Sequence, residues 1–226
     1  MNRTLRLLTS AALVWLVCGL VVAIYVEVIN GGSFATTFSE YVHTEQGARL
    51  VGVAMLAVGS GALATAAALR LTGAAVASRL VAVLGIGLGL LAVFPQEPVG
   101  EPLTWHGAIH RHVALVIFTA LPLAGFSLAR AAEGRWGRGV RWLSAAALGT
   151  LVLFVATFVV DGWGGYSGLV ERVFLLLDVA LLAAFTVRAR GKKVSAPLNS
   201  SSELGYAPGP DRTETGCACA GSPRSS

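Results

Sequence analysis

Charge is what this sequence has least of. Asp, Glu, Lys and Arg together make up 13% of its 226 residues, against 55% hydrophobic residues, with a mean hydropathy of +0.71. That is too little polar surface to cover a water-exposed globule, and a soluble domain is excluded. Cysteine is nearly absent too: of three, Cys18 lies in the first apolar run and Cys217 and Cys219 in the polar C-terminal stretch. No pair is placed to staple an extracytoplasmic domain, so there is no disulfide framework. The formal charge of +5 does not point to nucleic acid. The basic residues are scattered over short links between apolar runs instead of interleaving with aromatics along one polar element.

What the chain does have is six apolar runs, at residues 7–29, 50–71, 73–94, 109–129, 140–160 and 169–187. A hydrocarbon core about 30 Å thick needs on the order of 20 apolar residues per helix. The expected fold is therefore all-α: a polytopic membrane bundle of six transmembrane helices within residues 1–193. The first run follows basic residues like a secretory signal. It is too long for one, however, and ends in Tyr25, Val26 and Glu27 without a small-residue cleavage pattern, so it reads as a retained helix. Residues 194–226 are rich in Ser, Pro and Gly and read as a disordered cytoplasmic tail, in which Cys217 and Cys219 have no fixed role.

Twelve Lys and Arg residues flank alternate ends of the runs, among them Arg70, Arg130, Arg135, Arg188 and Lys192, while Arg49, Arg111 and Arg172 flank the others. The positive-inside rule then places both termini in the cytoplasm, which requires an even number of spans. Runs two and three carry Gly52, Gly59, Gly61, Gly85, Gly87 and Gly89, small residues that permit close helix approach in lipid.

The poorly basic ends gather the chain's polar chemistry. Glu45 and Arg49 precede run two; Glu97, His106, His110 and Arg111 precede run four; Asp161, Glu171 and Arg172 precede run six. Together they form a candidate polar pocket at the extracytoplasmic face. With Thr104 as N-cap, His106 and His110 stand at i and i+4 on one side of a helix. Two histidines without a third ligand fixed by spacing do not define a metal site, and neither a metal nor a cofactor is expected. The arginines are candidates to pair with Glu45, Glu97, Asp161 or Glu171, or to hold an anionic headgroup. Asp178 lies deeper, about 10 Å beyond Glu171 and on the same helical face. It is either a neutral structural acid held by hydrogen bonds or a site of proton coupling or ligand contact.

Several motifs resemble the domain of unknown function 998 family of bacterial integral membrane proteins. They are Ser39-Glu40-Tyr41 with Gly47, Phe94-Pro95-Gln96-Glu97-Pro98 leading through Thr104 to His106-Gly107 and His110, Leu121-Pro122-Leu123, and Gly168-Leu169-Val170-Glu171-Arg172. The resemblance spans residues 7–190 and implies a multi-pass protein of the bacterial plasma membrane. It carries no catalytic residue over. Gln96 and Asp178 depart from the family's pattern.

The expected function, with two alternatives, is that of a membrane protein whose extracytoplasmic pocket binds a lipid or small amphiphile. The first alternative is a membrane-embedded hydrolase or cyclase using His106 or His110 with nearby carboxylates, although no nucleophile has a recognisable setting. The second is a small transporter working through Asp178. Membrane lipids are the expected partners, and association with a second copy is left open.

Overall fold

The computed structural model describes residues 3–98, 101–160 and 162–191. Among them every regular element is helical: α1 (Arg3–Ile29), α2 (Gly47–Leu71), α3 (Ala75–Val93), α4 (Trp105–Arg130), α5 (Gly134–Ala156) and α6 (Ser167–Gly191). Short 3₁₀ segments lie at Phe38–His43 and Gly164–Tyr166. The expected tail, 194–226, lies outside the described residues.

Helices α1 to α5 are long and apolar enough to cross a membrane. Helix α6 is as long, with 25 residues, but carries Glu171, Arg172 and Asp178 in its first half. Several helices extend beyond their apolar runs. Helix α1 begins at Arg3, α4 at Trp105 and α5 at Gly134, because polar side chains do not prevent a helical first turn, whereas they remove it from the apolar run.

Consecutive helices pack side by side, and α6 closes the bundle against α1, α2, α4 and α5. Short links fold α2 onto α3 and α4 onto α5 as antiparallel hairpins. The α2–α3 turn is a Schellman motif. Ala74 N–H donates to Leu69 O, and Gly73 N–H donates to Arg70 O, with Gly73 at φ 82° where a side chain would be strained. Large apolar side chains such as Val14, Val17, Ile24, Ile86, Val116 and Val152 point outward. In water such a sheath would aggregate; facing hydrocarbon it is what a span presents.

The interior is held by close approach and by hydroxyls. A Cβ on Gly85 would meet Leu63 Cγ at 2.7 Å and Gly59 O at 2.9 Å, and one on Gly59 would meet Gly85 O at 3.0 Å. The α2–α3 packing expected from glycine content is therefore present, although a Cβ on Gly52 or Gly89 would meet nothing within 4 Å. Ser78 Oγ donates to Ala66 O across the same hairpin at 2.8 Å. Thr65 and Thr186 join α2 to α6 at 2.8 Å. Gly85→Val should cost about 1 kcal/mol, because the intruding atoms face a neighbouring backbone that cannot rotate away. Gly89→Val should leave the detergent melting temperature unchanged. Equal shifts for the two variants would refute the close-packing account.

Candidate functional site

The end of the bundle that holds the three longer links is fastened by one strap, residues 34–38, laid across the start of α6. Leu169 N–H donates to Phe34 O at 2.9 Å, Ser167 Oγ to Ala35 O at 2.6 Å and Arg172 Nη1 to Thr36 O at 3.1 Å. Phe38 N–H donates to Glu171 Oε2. The strap thereby satisfies orphan donors of the α6 N-terminus, and Glu171 is buried beneath it. Gly168 makes the approach possible, since a Cβ there would collide with Thr36 O.

The Arg172 guanidinium reaches past the strap to α1. Its Nη2 lies 2.6 Å from Glu27 Oε2 and donates to Tyr41 Oη at 2.9 Å, while Tyr41 Oη donates to Glu27 Oε2 at 3.2 Å. This is the only ion pair among the described residues. For Arg172 the partner is thus Glu27 and not Glu45, Glu97 or Glu171, and Asp161 lies outside the described residues. Adjacent positions on a helix diverge by about 100°, so Glu171 takes the strap amide while Arg172 turns to Glu27. Burial, then the negative charge of Glu27, pushes the Tyr41 phenol above its ordinary range, so it stays a donor. Glu40 folds back on its own turn, accepting from Thr37 N–H at 2.5 Å and Thr37 Oγ1 at 2.9 Å. Gly47 leaves room for the Tyr41 carbonyl.

A second fastening ties the link before α4. Thr104 stands at the N-cap position, as its place in the sequence suggests, but its side chain does not cap the helix. Glu97 does so from seven residues upstream. Its Oε1 accepts from Thr104 N–H at 3.2 Å, from Thr104 Oγ1, and from Gly107 N–H at 3.1 Å. The Thr104 hydroxyl, with help from these amides, holds the Glu97 carboxyl below the usual carboxylate range, and the charge suits a helix N-terminus. Ser39 Oγ donates to Gln96 Oε1 at 3.0 Å, and His43 Nε2 donates to Gln96 O at 2.8 Å.

The candidate pocket residues divide accordingly. Glu171 and Arg172 belong to the strap, and Glu97 to the α4 cap. His110 is buried, its Nδ1 2.8 Å from Phe94 O. A carbonyl only accepts, so Nδ1 carries the hydrogen. His106 is exposed between Trp105 and Phe94, with ring centroids 3.5 and 6.0 Å away. Glu45, Arg49 and Arg111 are exposed, and Asp161 lies outside the described residues. Among the described residues no three His, Cys, Asp or Glu side chains group to hold a metal ion. A crevice of about 20 Å³ opens between Ser39, Ala48, Gln96 and His110, room for about one water.

Asp178 stands apart from all of this. It is 5% exposed within α6, and neither carboxyl oxygen has a hydrogen-bond partner among the described residues. Nearby in sequence, Phe174 packs edge-on against Phe118 of α4 at 5.0 Å, and Leu181 and Leu182 are fully buried. The buried Ser144 Oγ of α5 also has no hydrogen-bond partner among the described residues.

Residues 9–188, most of the chain, match the profile of the family described as protein of unknown function (DUF998). The chain belongs to the DUF998 family. No curated protein and no solved structure matches it. In this DUF998 chain three of the four motifs that carry the resemblance form the fastenings, and the fourth, Leu121-Pro122-Leu123, lies within α4. Glu40, Tyr41 and Gly47 shape the first link, Glu97, Gly107 and His110 tie the second, and Gly168, Glu171 and Arg172 receive the strap. Sequence reasoning missed the roles of Glu27 and Thr36. The signal available for Glu27 was an acid at the apolar end of a span, which needs compensation. Thr36 acts through its backbone carbonyl and leaves no trace in residue type.

Proposed function

We propose that this DUF998 protein crosses the plasma membrane of a bacterium six times, with α6 as the sixth span and the arginine-rich ends in the cytoplasm. We further propose that it is a small transporter whose proton-binding group is Asp178. At about 1.5 Å per residue α6 is long enough to span, and its position against four other helices supports placing it inside the bundle.

The observation that carries the reading is the unpartnered Asp178 carboxyl. A structural aspartate is retained for the hydrogen bonds it makes, and this one makes none among the described residues. An ionised carboxylate at such depth costs on the order of 3 kcal/mol, and proton uptake relieves that cost, so a change of surroundings would alter proton occupancy. That coupling between proton occupancy and bundle conformation is what a proton-linked carrier requires.

The test needs no knowledge of the solute. In proteoliposomes on a solid-supported membrane, a pH jump should displace charge transiently as Asp178 takes up its proton, and Asp178→Asn should abolish the signal. A wild-type protein giving no displacement, or an Asn variant giving the full one, would sink the proposal.

A second reading, binding of a lipid or small amphiphile at the opposite, extracytoplasmic end, is favoured by Arg49 and Arg111. Both are exposed, unpaired among the described residues, and adjacent in sequence to Ala48 and His110 of the crevice. Arg172, engaged by Glu27, is not free for that task. Loss of co-purified lipid in the Arg49→Gln, Arg111→Gln double variant would support this reading, and unchanged lipid would count against it.

A further inference from the structure

At the arginine-rich end of the bundle, the α2–α3 turn, the α4–α5 link and the last turns of α6 enclose a cavity of about 100 Å³, several times the space one water needs. Leu69, Leu128 and Ala189 supply apolar wall and Gly73 lies on the turn at its edge, with Trp136 and Arg188 completing the lining. The Arg188 guanidinium carbon lies 5.0 Å from the centroid of the Trp136 ring. Arg188 is half-buried, pairs with no carboxylate among the described residues and donates no hydrogen bond to any of them. Arg70, Arg130 and Arg135 lie exposed on the neighbouring turns, with Glu133 the acid of the α4–α5 link.

The C-termini of α2, α4 and α6 and the N-termini of α3 and α5 meet here, so the helix dipoles largely cancel. The positive-inside pattern accounts for basic residues at this end. It does not account for a guanidinium resting on an aromatic ring beside an open cavity with its N–H donors unused. Stacking pre-organises the planar group while leaving in-plane donors whose fork matches two oxygens of a phosphate. An apolar wall beside that fork suits the glycerol and upper acyl portion of a lipid and disfavours a free hydrated anion.

We propose that this cavity is a binding site for the phosphate headgroup of an anionic phospholipid from the adjacent leaflet. Arg188 pairs with the phosphate, Trp136 holds Arg188 in place, and Leu69 and Leu128 contact the lipid's apolar shoulder. The site is separate from Asp178 and stands whether or not the transporter reading does.

The test is native mass spectrometry of the full-length protein in detergent, titrated with phosphatidylglycerol or phosphatidylcholine, and with inorganic phosphate as competitor. The wild type should retain phosphatidylglycerol in preference to phosphatidylcholine. Arg188→Gln should reduce that retention about fivefold, the effect of one basic residue at an anionic surface. Arg188→Lys should recover only part of it, because the ammonium lacks the planar fork. Arg141→Gln, at an exposed arginine of the same end, should leave it unchanged. If Arg188→Gln does not fold, Arg188→Lys and Trp136→Leu carry the test, each with reduced selectivity. Equal losses for Arg188→Gln and Arg141→Gln would overturn the site in favour of diffuse attraction. Displacement of the lipid by millimolar phosphate would overturn it in favour of a free-anion site.

Discussion

Replacing Arg172 by methionine lowers the melting temperature of the detergent-solubilised protein by roughly 5–10 °C. The guanidinium joins three parts of the chain, Glu27 on α1, Tyr41 in the first link and the Thr36 carbonyl of the strap. Both charged side chains are about a quarter exposed, at 22% and 24%, so the pair is worth more than a surface contact and less than a fully buried one. Its removal also strands Glu27, whose Oε1 already lacks a partner. The combined cost is about 2–3 kcal/mol. Glu27→Gln in the same background should restore part of the loss, with a coupling of about 1–2 kcal/mol in the double-mutant cycle. Arg49→Met, at an exposed site, should shift the melt by no more than about 1 °C. Similar small shifts for both arginines would show that the latch contributes nothing.

Asp178→Val should do the opposite and raise the melting temperature, by roughly 5 °C. The wild-type side chain is buried without one hydrogen bond among the described residues. Valine removes the desolvation cost and adds only a modest excess of volume, a net gain of about 2 kcal/mol. Asp178→Asn keeps an unpartnered polar group in the same place and should change stability little, while losing the charge displacement. A stabilising variant that is functionally silent is the expected trade-off at a site kept for its chemistry. If valine destabilises the protein instead, Asp178 has a native partner, and the argument for a proton site falls with it.

The bundle was legible in the sequence because the physics that builds it is local. Each apolar run must satisfy its own backbone in hydrocarbon, so length and hydropathy identify a helix almost unaided. Helix ends were less legible. The arginine-rich start of α5, from Gly134, is helical and polar at once, and hydropathy marks only the apolar part. The polar end was legible in part. Spacing placed Glu171 and Arg172 at the start of α6, yet Arg172 pairs with an acid 145 positions earlier. No periodicity encodes that separation. His106 and His110 share a helical face as expected, but burial separates them, and the exposure of each depends on a link that comes from elsewhere in the chain. The glycines followed the same division. Gly59 and Gly85 meet across a hairpin, whereas a Cβ on Gly52 or Gly89, glycines no different in sequence, would meet nothing within 4 Å.

The strap has a consequence for how the protein is made. Phe38 and Glu171 are 133 positions apart, so at ordinary elongation rates the first hairpin waits on the order of ten seconds before its clasp is synthesised. Until the final helix arrives, the amide of Phe38 and the carbonyls of Phe34, Ala35 and Thr36 have only water or headgroups as partners. A nascent chain halted before residue 167 should therefore expose this segment to protease, and one released past residue 172 should protect it, making strap closure a built-in signal that the last helix has been inserted.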